Sequence, residues 1–167
     1  MEIIIDNLNA ESDVIEARNA ALKNKNGIRS LDLQFREEVR MDVMEALQPP
    51  PNLLELSFVG YVGIEFPRWI TMSLNNLKFV IMDNCSSLPP LGNLEFLEEI
   101  YISSMKNMKY LGREFLGITG DGSAIAFPKL KILHFETCEE WTDLLLPQSE
   151  GAAPPPPKQD ATGEVGY

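Results

Sequence analysis

The stretch Leu77-Lys-Phe-Val80-Ile-Met82-Asp-Asn-Cys85-Ser-Ser-Leu88 decides how this chain is read. Its apolar residues stand three apart, then two, then three and three again. The central Val80-x-Met82 alternation is that of a strand with one face toward a core, because successive side chains of a strand point to opposite faces. The three-residue steps on either side let the chain turn and wind back over that same core. Leu53, Leu56, Phe58, Tyr61 and Ile64 hold the same spacing upstream. Leu97, Ile100, Ile102, Met105 and Met108 hold it downstream, as do Leu130, Leu133, Phe135, Cys138 and Trp141. Ile28-x-x-Leu31-x-Leu33 and Ile3-x-Ile5 carry its first part. One such match is expected by chance in a chain that is 44% apolar, whereas four complete copies in order are a repeat.

Written out, the pattern is L-x-x-L-x-L-x-x-(N/C)-x-x-L, the leucine-rich-repeat signature. Its copies begin at Ile3, Leu31, Leu56, Val80, Ile100 and Leu133, at intervals of 28, 25, 24, 20 and 33 residues. The first four intervals lie within the range usual for such repeats, and the fifth contains an insertion. A single turn of this kind cannot bury its own apolar edge, so neighbours must stack. The pattern therefore predicts an α/β fold: a leucine-rich-repeat solenoid of about five to six irregular repeats, with a curved parallel sheet on its concave face.

The repeats occupy residues 1–146 as one domain. Residues 147–167 hold four consecutive prolines and no apolar periodicity, so they are expected to be a disordered Pro-rich tail. With no evident polar cap after Trp141, the last repeat is expected to leave a core edge open and the chain to self-associate. Between strands, Ser12 is predicted to cap a helix running to about Lys25, and a second helix is predicted from Glu37 to Leu47, stopped by Pro49-Pro50-Pro51. The connections Phe66-Pro67-Arg68-Trp69 and Leu88-Pro89-Pro90-Leu91-Gly92 are short and proline-punctuated, which favours 3₁₀ or extended backs.

Composition excludes several functions. Only 14 basic residues face 25 acidic ones, for a net charge of −11. A nucleic-acid groove or an anionic membrane surface needs clustered Lys and Arg, so neither is expected as a partner. No apolar run approaches the roughly 18 residues that span a bilayer. The acidic start Met1-Glu-Ile-Ile-Ile-Asp6 lacks the positive region of a secretory signal, and a soluble cytoplasmic chain is expected. Two cysteines and one histidine are too few for a disulfide framework or a structural zinc site. No metal or other cofactor is expected. Gly117-Ile-Thr-Gly120-Asp-Gly122-Ser123 has no Gly-Lys-Ser/Thr after it, and so is not a phosphate loop.

Further motifs carry a family resemblance. Glu16-Ala-Arg-Asn-Ala-Ala-Leu-Lys-Asn-Lys25 followed by Ile28-Arg-Ser-Leu-Asp-Leu33, Met44-Glu-Ala-Leu-Gln-Pro49, and Gly60-Tyr-Val-Gly-Ile-Glu-Phe-Pro-Arg-Trp69 come first. Cys85-Ser-Ser-Leu-Pro-Pro-Leu-Gly92, Tyr110-Leu-Gly-Arg-Glu-Phe115, Phe127-Pro-Lys-Leu-Lys131 and Glu139-Glu-Trp141 follow in order. This string resembles the repeats of plant intracellular disease-resistance receptors of the coiled-coil, nucleotide-binding, leucine-rich-repeat kind. The resemblance implies a protein-recognition module that senses pathogen effectors or guarded host proteins and restrains the receptor's nucleotide-binding domain. With no G-x-x-x-x-G-K-[ST] loop in this sequence, nucleotide binding does not carry over, and the chain resembles a truncated piece of a receptor. The alternative is a free-standing leucine-rich-repeat scaffold unrelated to immunity.

Stacking in register turns the outward x positions into columns on the concave face. Phe79, Ile81, Tyr101 and Ile132 then form an apolar patch edged by Asp83, Glu99 and Glu136, with His134 in the central column beside Tyr101. An apolar patch with a charged rim is a protein-contact surface, and the insertion at 112–126 is the segment that could cover part of it. His134 and Glu136 lie two residues apart with no Ser or Cys nucleophile motif beside them, so no catalytic residues are assigned. Cys85 and Cys138 share one signature position facing the core, two repeats apart. Strands about 4.8 Å apart hold their Cα atoms roughly 10 Å from each other, beyond disulfide reach.

Overall fold

The structure is a computed structural model that describes residues 1–105, 113–116, 126–136 and 162–166. Its frame is one seven-stranded sheet in chain order: β1 (Glu2–Leu8), β2 (Ser30–Phe35), β3 (Glu55–Val59), β4 (Phe79–Asp83), β5 (Glu99–Ser103), β6 (Ile132–Glu136) and β7 (Thr162–Gly166). β1 to β6 run parallel, each beside its successor. The register joins Ile3, Leu31, Leu56, Val80, Ile100 and Leu133 in one row and Ile5, Leu33, Phe58, Met82, Ile102 and Phe135 in the next. All six signature pairs thus meet in phase, because a slip of one residue would turn every apolar side chain to the wrong face.

These rows form a dry core. Leu31, Leu33, Phe58, Val80, Met82, Ile100 and Ile102 are 0% exposed, and among the described residues none of the buried side chains is charged or polar. Ile3 and Ile5 are only partly buried, since β1 is the outermost strand. The backs follow repeat length. The 28-residue interval holds α1 (Val14–Ala20) and a 3₁₀ turn at Leu22–Asn24, and the 25-residue interval holds α2 (Met41–Ala46). The 24-residue interval has room for α3 (Trp69–Met72), and the 20-residue interval for only a 3₁₀ turn at Leu91–Asn93. A 3₁₀ turn rises about 2.0 Å per residue against 1.5 Å in an α-helix, so fewer residues cover the same span.

Both predicted helices are shorter in the structure. Asp13, not Ser12, caps α1, its Oδ1 accepting from the Ile15 N–H at 2.7 Å, while Ser12 Oγ accepts from the Asn9 N–H at 3.0 Å. The helix ends where Ala21 turns left-handed at φ 46°, short of Lys25. α2 begins at Met41 rather than Glu37, because Arg40 is extended at ψ 143°. Adjacent backs are tied together: Trp69 Nε1 donates to the Met44 carbonyl at 2.8 Å, and Glu45 Oε1 accepts from the Arg68 N–H at 2.9 Å. Beneath them, the Tyr61 ring packs edge-on against Phe35 and Phe58, with centroids 5.0 and 5.6 Å away.

A second periodic device follows the strands. Gly60, Asn84 and Ser104, each the first residue past its strand, hold φ of 79°, 53° and 55°. Each points its N–H at the last carbonyl of the next strand, those of Asp83, Ser103 and Glu136, at 2.8, 3.0 and 3.0 Å. The left-handed turn thereby extends the ladder by one bond per repeat. In the long last interval, α4 (Arg113–Leu116) packs on the Leu91–Asn93 turn, with Phe115 buried against Phe127 at 5.1 Å between centroids.

The tail reading differs from the structure over five residues. Where no order is expected in 147–167, Thr162–Gly166 forms β7, antiparallel to β6, on the sheet edge expected to be open. The rest of that tail lies outside the described residues, as do Cys138, Trp141 and most of the 112–126 insertion. Among the described residues, no helix is long and apolar enough to cross a membrane.

Candidate functional site

The concave face is built from the x positions of the L-x-L pairs. In the last three parallel strands they form three rows: Phe79, Glu99 and Ile132; Ile81, Tyr101 and His134; Asp83, Ser103 and Glu136. The register brings all eight residues expected at the site onto one surface. Their burial follows the alternation: the core-facing partners are buried, while these are half-buried, and Glu136 is exposed.

Within this surface the polar groups hold one another in place. Tyr101 donates its hydroxyl to Glu99 Oε2 at 2.5 Å, and its ring lies 5.7 Å from that of His134 at 47°. Ser103 Oγ donates to Asp83 Oδ1 at 2.9 Å. The Tyr101 ring is thus tethered at its polar end and leaned upon at its edge, beside Phe79, Ile81 and Ile132. A fixed aromatic side chain loses little freedom when a partner covers it, which suits a contact surface. Of the insertion, Arg113–Leu116 packs on the repeat back at Leu91–Asn93 and leaves the rows to β4, β5 and β6.

One acceptor on the same face is absent from the expected site. Asp32, in the central column, takes a 2.9 Å hydrogen bond from Gln34 Nε2 through Oδ2, while its Oδ1 is buried without a partner. The alternation places Asp32 outward in the sequence, but its unmet oxygen depends on neighbours that only folding supplies. Elsewhere, an open groove of about 410 Å³ lies between the loops that follow β1, β2 and β3, with Tyr61, Met41 and Ile64 in its wall and Glu38 and Glu65 beside them. Burial chiefly, with help from Glu38 and Glu65, pushes the Tyr61 hydroxyl up to about 12. Nothing in the apolar spacing marks this groove, since its residues come from three separate turns. Among the described residues, no group of three metal-ligating side chains converges.

The family model described as R13L1/DRL21 LRRs matches residues 1–105. The disease resistance protein RGA2 of Solanum bulbocastanum is 30% identical over 131 residues, covering 71% of this chain and 14% of that protein. The disease resistance RPP13-like protein 1 of Arabidopsis thaliana is 27% identical over 154 residues, 80% of this chain and 15% of its own length. RGA1 of Solanum bulbocastanum is 35% identical over 103 residues, 58% of this chain and 10% of that protein. The chain spans about a tenth to a seventh of the length of these relatives. No solved structure matches it.

Proposed function

Because the chain belongs to the leucine-rich-repeat region of R13L1/DRL21-type plant disease-resistance proteins, a non-catalytic region, we propose that it is a protein-recognition module of a cytoplasmic immune receptor. Its concave face, centred on Tyr101, contacts a pathogen effector, a guarded host protein, or the receptor's own nucleotide-binding domain, which it restrains until the signal arrives. The observation that carries this reading is the row Ile81, Tyr101 and His134, with the Tyr101 hydroxyl held by Glu99 and an apolar patch around it. Such a centre excludes water when covered, while Asp83, Glu99 and Glu136 supply the charged rim that sets specificity.

The test is a pull-down titration against the nucleotide-binding domain of one of the matching receptors, expressed as a separate chain. Tyr101→Ala should weaken capture by about thirty-fold, the equivalent of roughly 2 kcal/mol for an interface anchor. Met72→Ala, on α3 at the repeat back and 72% exposed, should leave it unchanged. Equal losses from the two substitutions would remove the concave face from the contact.

A further inference from the structure

We infer that β7 guards a self-complementary edge of β6, and that when β7 is displaced two copies of the chain join β6 to β6 as an antiparallel, two-fold dimer. The two ends of the six parallel strands differ in how they meet solvent. β1 carries acidic residues at Glu2 and Asp6, and its pairing breaks register between Ile5 and Leu8, where Asn7 turns to φ 58°. Charges and a bulge of this kind blunt an edge against further pairing. β6 has neither device. Its residues, Ile132-Leu-His-Phe-Glu136, include one acid, no proline and no glycine, and they pair without a register break. A short, apolar, regular edge is a template for another strand.

β7 occupies that template completely, from Ile132 opposite Gly166 to Glu136 opposite Thr162. It runs antiparallel where every other pair in the sheet is parallel, so it is an extended segment laid along the edge rather than a further repeat. A second β6 related by a two-fold axis would approach in the same antiparallel sense and could take over the hydrogen bonds that β6 now makes with β7. An interface in which one edge meets its own copy closes on itself and stops at the dimer.

Analytical ultracentrifugation of three chains tests this: the full chain, a chain lacking residues 147–167, and the full-length double variant Gly163→Pro/Val165→Pro, which removes two β7 N–H groups and leaves residues 1–161 intact. The full chain should sediment as a monomer at concentrations where both variants sediment at twice the monomer mass. Excess synthetic peptide covering residues 160–167 should return the truncated chain to monomer. Hydrogen exchange should show the β6 amides protected in the full chain and in the dimer alike, and exposed when the variants are diluted to monomer. If truncation prevents folding, the double-proline variant carries the test alone. Monomeric variants with unchanged β6 protection, or a full chain that dimerises as readily as they do, would overturn the inference.

Discussion

The Leu116 carbonyl lies where a side chain on Gly92 would have to be: a Cβ there would come within 1.7 Å of the Leu116 oxygen. This contact seats α4 on the back of the β4–β5 repeat, and it explains why the run Leu88-Pro89-Pro90-Leu91-Gly92 ends without a side chain. Gly92→Ala must push α4 away or distort the turn. We expect it to destabilise the fold by about 1–3 kcal/mol, the usual cost of inserting atoms into packed space. Urea unfolding monitored by tryptophan fluorescence measures this, and an unchanged midpoint would mean that α4 does not seat there.

The alternation makes a paired prediction on stability. Ile100 is 0% exposed in the central core row, so Ile100→Ala should cost about 2–5 kcal/mol. Ile4, also on a strand, is 57% exposed on the outward column of β1, and Ile4→Ala should change stability by no more than about 0.5 kcal/mol. Thermal unfolding of the two variants side by side checks it, and similar losses would contradict the register.

The post-strand turns predict an asymmetry between two alanine substitutions. Gly60 combines φ 79° with backbone so close that an added Cβ would meet the Phe35 carbonyl oxygen at 2.7 Å. Ser104 already bears a Cβ at φ 55°. Gly60→Ala should therefore cost at least about 1 kcal/mol more than Ser104→Ala, since only the former adds a new steric conflict to the left-handed turn. Chemical denaturation of both variants gives the comparison.

Alkaline pH should loosen the molecule through two buried acids. Burial pushes the Cys85 thiol up to about 11 and the Tyr61 hydroxyl up to about 12, from ordinary values of 9.0 and 10.0. A raised folded value means that the neutral form is favoured by folding, so the unfolded chain sheds its protons first. Their contribution is complete below pH 9, falls as pH rises through the Cys85 and then the Tyr61 range, and is gone above about 12. The urea midpoint should be flat from pH 7 to 8.5 and drop between 9 and 12. The Cys85 sulfur, which donates to the Asp83 carbonyl at 3.3 Å, should react slowly with a thiol reagent in the folded chain and rapidly after unfolding.

Six L-x-L pairs were legible because strand alternation is a property of the chain's own period, and one register alone buries all of them. From that register the columns follow, so Phe79, Ile81, Asp83, Glu99, Tyr101, Ile132, His134 and Glu136 could be assigned to one face before any contact was seen. Helix ends were less legible: whether Ser12 or Asp13 caps α1 turns on which carboxylate or hydroxyl reaches the first turn, and both residue types serve.

What the sequence by itself determined, then, is everything that repeats: the parallel order, the rows of the core, the outward columns and the shortening of the backs with interval length. What only the tertiary structure decided are the relations between residues that share no period. The seating of Leu116 over Gly92, the bond from Trp69 to the Met44 carbonyl, the unmet oxygen of Asp32 and the antiparallel seat of β7 on β6 all join distant stretches. A period fixes a residue's face and its neighbours one repeat away, because those follow from stacking alone. It carries no information on which carbonyl, turn or sheet edge a side chain or a returning segment meets once the solenoid has closed, because that depends on the packing of the whole.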